Sequence, residues 1–188
     1  MDINELIKTR RAVFPPQYDT DKEISKETIQ QILENANWAP THRRTEPWRF
    51  KVYQGAAKER LGAFLADWYK TNTQAEAFSE MKFKKTIKKA VQSSCIIAIC
   101  MQRDPNESLP EWEEVAATAC AVQNMWLSAH AMGIGAYWSS PKSIHDFQNF
   151  SELAEGEKCL GFFYMGYVKH EGPAGSREPI EDKVKWFE

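Results

Sequence analysis

Ser94-Cys-Ile-Ile-Ala-Ile-Cys-Met101 is an apolar run of strand length with no polar alternation to mark a solvent face. Such a run predicts a central strand covered on both sides, at the heart of a sheet. Downstream, Glu111 to Met132 contains neither glycine nor proline and is rich in alanine, which predicts a long, mostly buried helix stopped by Gly133. Ile134-Gly-Ala-Tyr-Trp-Ser139 and Leu160-Gly-Phe-Phe-Tyr-Met-Gly166 then read as strands, with short helical turns between about 143 and 154. Upstream, Trp48 to Tyr53 alternates large and polar residues and ends at Gln54-Gly55, the mark of a first strand. Two helices, at about 56 to 70 and 75 to 90, fill the interval before the central run.

The N-terminal part is helical. Ile3, Leu6 and Ile7 share one face of a helix from Asp2 to about Arg10, and Phe14-Pro-Pro16 ends regular structure. Ser25-Lys-Glu-Thr28 has the composition of a helix N-cap, and Ile29, Ile32, Leu33 and Ala36 keep helical spacing until Pro40. Beyond Gly166 the chain turns polar, loosened by Gly172, Pro173 and Gly175 before Pro179-Ile-Glu-Asp-Lys-Val184. Strands interleaved with helices predict an α+β layer architecture with a sheet of four or five strands. A chain of 188 residues, 43% hydrophobic, suffices for one domain over 1–188, and nothing in it calls for a second.

A formal net charge of -2 argues against a sequence-independent nucleic-acid binder, which needs a broad basic face. Met1-Asp-Ile-Asn-Glu lacks the charged start and apolar core of a secretory signal, and no apolar run reaches membrane-span length. Cys95, Cys100, Cys120 and Cys159 show no CxxC spacing, and three lie in apolar surroundings, so they read as reduced core residues of a cytoplasmic protein. The lysines Lys82, Lys84, Lys85, Lys88 and Lys89, set around Phe83 and Ile87, read as a solvated helix face.

Chemistry concentrates in three places. Ala39-Pro-Thr-His-Arg-Arg-Thr-Glu-Pro-Trp48 gathers cations and hydrogen-bonding groups in a loop that directly follows a helix. Arg10-Arg11 closes the first helix, where cations favour the helix dipole or, as planar guanidiniums, can take a phosphate. Arg177, in Ser-Arg-Glu-Pro, carries the same two readings. His42 is either a capping loop residue or, beside Arg43 and Arg44, a neutral ligand-binding imidazole. No second ligand at matching spacing makes it a metal site. Gly133-Ile-Gly135 is too short for a dinucleotide fingerprint. Ser128 and His130, two apart on a helix, face different directions. Anion-binding candidates without an acid, base or nucleophile set point to chemistry carried by a cofactor.

Taken together, Ile7-Lys-Thr-Arg-Arg11, Ala39-Pro-Thr-His to Glu46-Pro-Trp48, Gln123-Asn to Gly133-Ile-Gly135 with Tyr137-Trp138, and Gly166-Tyr167 followed by Arg177-Glu-Pro179 resemble the FMN-dependent nitroreductase family, in particular its short single-domain members. The resemblance implies a central mixed, largely antiparallel sheet flanked by helices. It also implies an intertwined homodimer with FMN at the subunit interface, the 111 to 132 helix at the dimer core and residues 170–188 extended onto the partner. By position, Arg10 and Arg177 match the phosphate ligands, and Arg11 falls near the phosphate or the pyrimidine edge, followed by Ala12. Trp38, Pro40, Thr41, His42 and Arg44 match the loop that reaches the flavin of the dimeric site. Tyr137, Trp138 and Ser139 match the backbone segment along the isoalloxazine, near N5.

The sequence departs from the family pattern at several points. Ala12 stands where a serine is usual and Phe14 where a basic residue is frequent, Arg44 and Glu46 replace the common asparagine and glutamine, and Val168 replaces a proline. The implied activity is transfer of hydride from NADH or NADPH to flavin and on to an electron-poor small molecule, a nitroaromatic or quinone. Two other readings share the residues: different flavin chemistry on the same fold, such as dehalogenation or flavin degradation, and a non-enzymatic flavin- or anion-binding protein.

Overall fold

The structure, a computed structural model, describes residues 2–188. Four strands form one sheet: β1 (Trp48–Tyr53), β2 (Cys95–Gln102), β3 (Ile134–Ser139) and β4 (Glu157–Tyr167), in the spatial order β1-β2-β4-β3. All three strand pairings are antiparallel, and among the described residues a parallel contact occurs only as an isolated bridge between Ala12 and Ala136. The apolar run predicted as a central strand is β2, between β1 and β4, with Cys95 through Met101 fully buried.

Five α-helices surround the sheet: α1 (Ile3–Thr9), α2 (Lys26–Asn37), α3 (Ala56–Thr71), α4 (Glu80–Gln92) and α5 (Glu111–Ala131). Asp2 and Ser25 cap α1 and α2 by accepting from backbone N–H groups of the first turn, the role their side chains favour. Strand alternation divides the core into two faces. Ile97, Ile99, Ala136 and Phe163 pack with α2 and α5 on one side, while Ile96, Ala98, Tyr137 and Phe162 pack with α3 and α4 on the other. Each fully buried Ile or Phe contributes on the order of 1.5–3 kcal/mol of transfer free energy.

A register shift between Ile99 and Cys100 lets β4 carry one extra residue, so Ile99 faces Gly161 and Cys100 faces Cys159. The bulge sets Leu160 out of the ladder, and its carbonyl accepts from the Trp138 indole N–H at 3.3 Å. Gly161 makes room for that ring. Its φ is +152°, and an added Cβ would lie 2.1 Å from Trp138 Nε1. On the other face of the sheet, Gly62 lets α3 approach α4, since a Cβ there would meet that of Ala90 at 2.5 Å.

The segment between α1 and α2 is bound to the sheet at both ends. Val13 N–H donates to the Ala136 carbonyl at 3.0 Å, and Asp19 N–H donates to Tyr167 at 2.8 Å. The buried Tyr18 ring lies against Gly166, its hydroxyl 2.8 Å from the Val13 carbonyl. Arg10 and Arg11 are thereby held beside the free edge of β3. Among the described residues no helix is long and apolar enough to cross a membrane.

Candidate functional site

Arg10, Arg11 and Arg177, far apart in the chain, meet around one cavity of about 500 Å³, which Gln123 of α5 also lines. Among the described residues no carboxylate lines it. Burial, and then the charge of Arg177, draw the Arg10 guanidinium below its ordinary pKa range. Two mutually repelling cations at a half-enclosed surface, with no counter-ion among the described residues, leave a positive field that favours an anion. Arg10 is held from below by α5, its guanidinium carbon 4.5 Å from the Trp126 ring centroid.

Arg11 is placed differently. Its guanidinium donates to the carbonyls of Thr9 at 3.2 Å, Gly172 at 3.4 Å and Pro173. It therefore ties the polar C-terminal segment over the cavity, with part of its hydrogen-bonding capacity already engaged. Arg177 Nη1 donates to the Ser176 carbonyl at 2.6 Å. This segment also carries Ile180, Trp186 and Phe187, all largely exposed.

Beside the cavity lies the open edge of β3. Ala136 turns its carbonyl to Val13 on the edge away from β4, and backbone polarity repeats every second residue of a strand. Trp138 therefore presents its N–H and C=O on that edge, where the N-terminal segment has already turned away at Phe14. Tyr137 and Ser139 direct theirs toward β4. The Tyr137 side chain is buried, packed against Phe14 at 5.0 Å and stacked on Tyr164 at 4.9 Å between ring centroids. Burial raises its phenol well above the ordinary range. Phe14, where a basic residue was noted as frequent, packs on this ring and supplies no charge.

The loop after α2 goes elsewhere in the same chain. His42 Nδ1 lies 2.6 Å from Glu113 Oε2, in the first turn of α5, so its close polar neighbour is a carboxylate. Gln123 lies ten residues further along α5, about 15 Å at the helical rise. Within one chain the loop at 39–48 thus lies apart from the cavity that Arg10 and Arg177 share. Arg44 is exposed, and no ion pair joins it to Glu46 among the described residues. Arg43, Arg44 and Glu46 all have φ between 41° and 57°. Left-handed backbone at non-glycine residues costs energy and concentrates at functional loops. Thr41 Oγ1 helps hold the turn by accepting from Glu46 N–H at 3.1 Å. Trp38 is 80% exposed with its indole on Glu34, and Pro40 is exposed too.

Reading along the sequence missed one stripe of the site. Gln123, Trp126 and His130 lie three, four and seven apart on α5 and face the Arg10 segment, with His130 Nε2 2.9 Å from Thr9 Oγ1. Gln123 stood in the sequence only within the Gln123-Asn to Gly135 segment and His130 only beside Ser128, and the spacing that joins the three describes any buried helix.

Comparison with known proteins bears on the family and the fold. A family model described as Nitroreductase family matches residues 7–167. A Bacillus subtilis (strain 168) protein with the provisional name NAD(P)H nitroreductase YfhC is 28% identical over 96% of this chain and 92% of its own length. The crystal structure of a nitroreductase-like family protein from Bacillus cereus superposes with a TM-score of 0.80 at 28% identity, covering 100% of this chain and 97% of the other. The fold is also that of the FMN-dependent nitroreductase NfnB from Mycobacterium smegmatis, solved with NADPH, at a TM-score of 0.76 and 17% identity over 98% of this chain and 97% of the other. With the family model spanning both the Arg10 segment and the end of β4, the chain belongs to the nitroreductase family.

Proposed function

We propose that this chain is an FMN-dependent NAD(P)H oxidoreductase of small electron-poor acceptors, working as a homodimer from a single domain over residues 1–188. The observation that carries the reading is the convergence of Arg10 and Arg177 on a carboxylate-free cavity beside the open edge of β3. Two guanidiniums suit a phosphate monoester, and an edge N–H suits the rim of a planar heteroaromatic ring. FMN bound there supplies hydride acceptance from NADH or NADPH at N5 and its delivery to an acceptor such as a nitroaromatic or quinone.

The protein's own residues bind and orient. Arg10 and Arg177 hold the phosphate, with Gln123 alongside, and Arg11 fastens the C-terminal segment over them. Ala12 and the Tyr137, Trp138 and Ser139 backbone form the wall for the ring, and the Trp138 N–H stabilises negative charge at the ring edge. Thr41, His42 and Arg44, with Trp38 and Pro40, come to this site from the partner subunit. The exposed Trp38, and the exposed Ile180, Trp186 and Phe187 of the 170–188 extension, support a second copy covering them.

The test is the visible spectrum of the purified protein under anaerobic conditions, before and after each nicotinamide. Flavin absorbance that bleaches with NADH or NADPH is expected. A protein that neither carries nor gains flavin on adding FMN overturns the reading, and one that holds flavin without bleaching is a passive binder. Light scattering should give a dimer, and a monomer that retains FMN tightly would remove the two-chain site.

A further inference from the structure

The lysine-rich helix α4 is not wholly a solvated face. Lys82, Thr86 and Lys89, four and three residues apart, form one stripe along a second cavity of about 520 Å³, on the opposite side of the sheet from α5. Trp68 and Tyr69 of α3 and Tyr164 of β4 provide aromatic walls, and Ser139, at the end of β3, lies at its margin. The volume is in the range of small-molecule sites.

Its charge is unbalanced. Lys82 Nζ lies 4.3 Å from the Tyr69 ring centroid and Lys89 Nζ 5.9 Å from that of Tyr137. Among the described residues neither lysine, nor Lys142 across the cavity, has an ion-pair partner. The carboxylate beside the aromatic wall, Asp146, accepts from the Trp68 indole N–H at 2.7 Å. Burial first, then Lys85 and Lys82, hold the half-buried Lys89 below the usual lysine range, as befits a cation lacking its counter-charge.

We infer that this cavity is a binding site for a small aromatic carboxylate, its ring between Trp68, Tyr69 and Tyr164 and its carboxylate between Lys82 and Lys89. The site is separate from the Arg10–Arg177 cavity, shares only Ser139 with the wall proposed for the ring, and does not rest on the function proposed above. An aromatic anion meets both halves of the lining, whereas a purely hydrophilic anion leaves the rings wet and a neutral ring leaves the lysines unpaired.

The probe is 4-fluorobenzoate, followed by fluorine NMR in a titration of the full-length protein, with 4-fluorobenzamide as the neutral control of the same shape. Saturable binding of the carboxylate is expected, with the amide and the variants Lys82→Met and Lys89→Met each weaker by about ten-fold. Saturating FMN should leave the affinity unchanged. Lys82 is exposed, so its variant reports even where Lys89→Met fails to fold. Absence of saturable binding, equal binding by both folded variants, or displacement by FMN each overturns the proposal, the last by assigning the anion to the Arg10–Arg177 cavity.

Discussion

The Arg10 guanidinium carbon lies 4.5 Å from the centroid of the Trp126 ring. The contact joins the residue that ends α1 to the long helix α5, and it holds a cation in place without neutralising it. A carboxylate in the same position would have fixed Arg10 equally well while cancelling its field toward the cavity. Arg10→Ala should therefore lower FMN affinity by about ten- to a hundred-fold, the loss of a charge-assisted phosphate contact. Trp126→Leu keeps the charge and removes its support, and should lose less. Flavin fluorescence titration ranks them, and an Arg10→Ala protein with undiminished affinity would remove this side chain from the phosphate site.

Trp138 is expected to act through its backbone. Its side chain turns away to the Leu160 carbonyl, while its N–H faces the open edge of β3. Proline removes that donor and is tolerated on an edge strand whose N–H points outward. Trp138→Val removes the indole alone and serves as the control. Anaerobic stopped-flow bleaching should slow by about a hundred-fold in Trp138→Pro relative to Trp138→Val. Equal rates would show that the N–H makes no contact that matters to the transfer.

How much of this was legible along the chain differs by element. β1 and β3 have the bounds expected from alternation and flanking glycines, because β-pattern and turn residues are local signals. β4 begins at Glu157, earlier than the apolar run at Leu160, since its first residues are paired across the bulge and by Lys51–Glu157 at 2.8 Å. The second of the two helices after β1 begins at Glu80, after a separate turn at Ala75–Ala77. At the site, Arg10 and Arg177 were identifiable by residue type. Arg11's engagement with Gly172 and Pro173, and His42's with Glu113, depend on tertiary approach across 161, 162 and 71 residues of sequence separation. No local pattern encodes those contacts. Of the α4 lysines, Lys82, Lys84, Lys85 and Lys88 are exposed as a solvated face requires, while Lys89 is half-buried, a difference that composition does not mark.

Gly161 offers a test of the bulge. Its φ of +152° is rarely adopted by L side chains, and an added Cβ would lie 2.1 Å from Trp138 Nε1 and 2.7 Å from the Ser139 carbonyl oxygen. The Trp138 ring or β3 must move to admit it. Gly161→Ala should destabilise the fold by about 2–4 kcal/mol, combining backbone strain with overpacking. Urea unfolding measures this, with Gly175→Ala as the control because its Cβ would approach only Arg177 Nη1, at 3.9 Å. Equal stability of the two variants would mean that the Trp138 ring does not occupy the space above Gly161.

His130 should report on the occupancy of the anion cavity. Burial first, then Arg10 and Arg11, hold its pKa below 6.5, while its Nε2 lies 2.9 Å from Thr9 Oγ1. With a folded pKa below the unfolded one, the unfolded chain binds more protons in the window between them. This residue's contribution to stability is therefore fully present above about pH 6.5 and falls as pH drops through the folded pKa. A phosphate dianion between Arg10 and Arg177 offsets the field that depresses His130, so its pKa should rise when FMN or inorganic phosphate is added. NMR titration of the imidazole carbon-bound protons measures both states. A midpoint that stays put on FMN saturation would place the phosphate away from Arg10, and a midpoint above 6.5 without ligand would mean that the two arginines do not act on this ring.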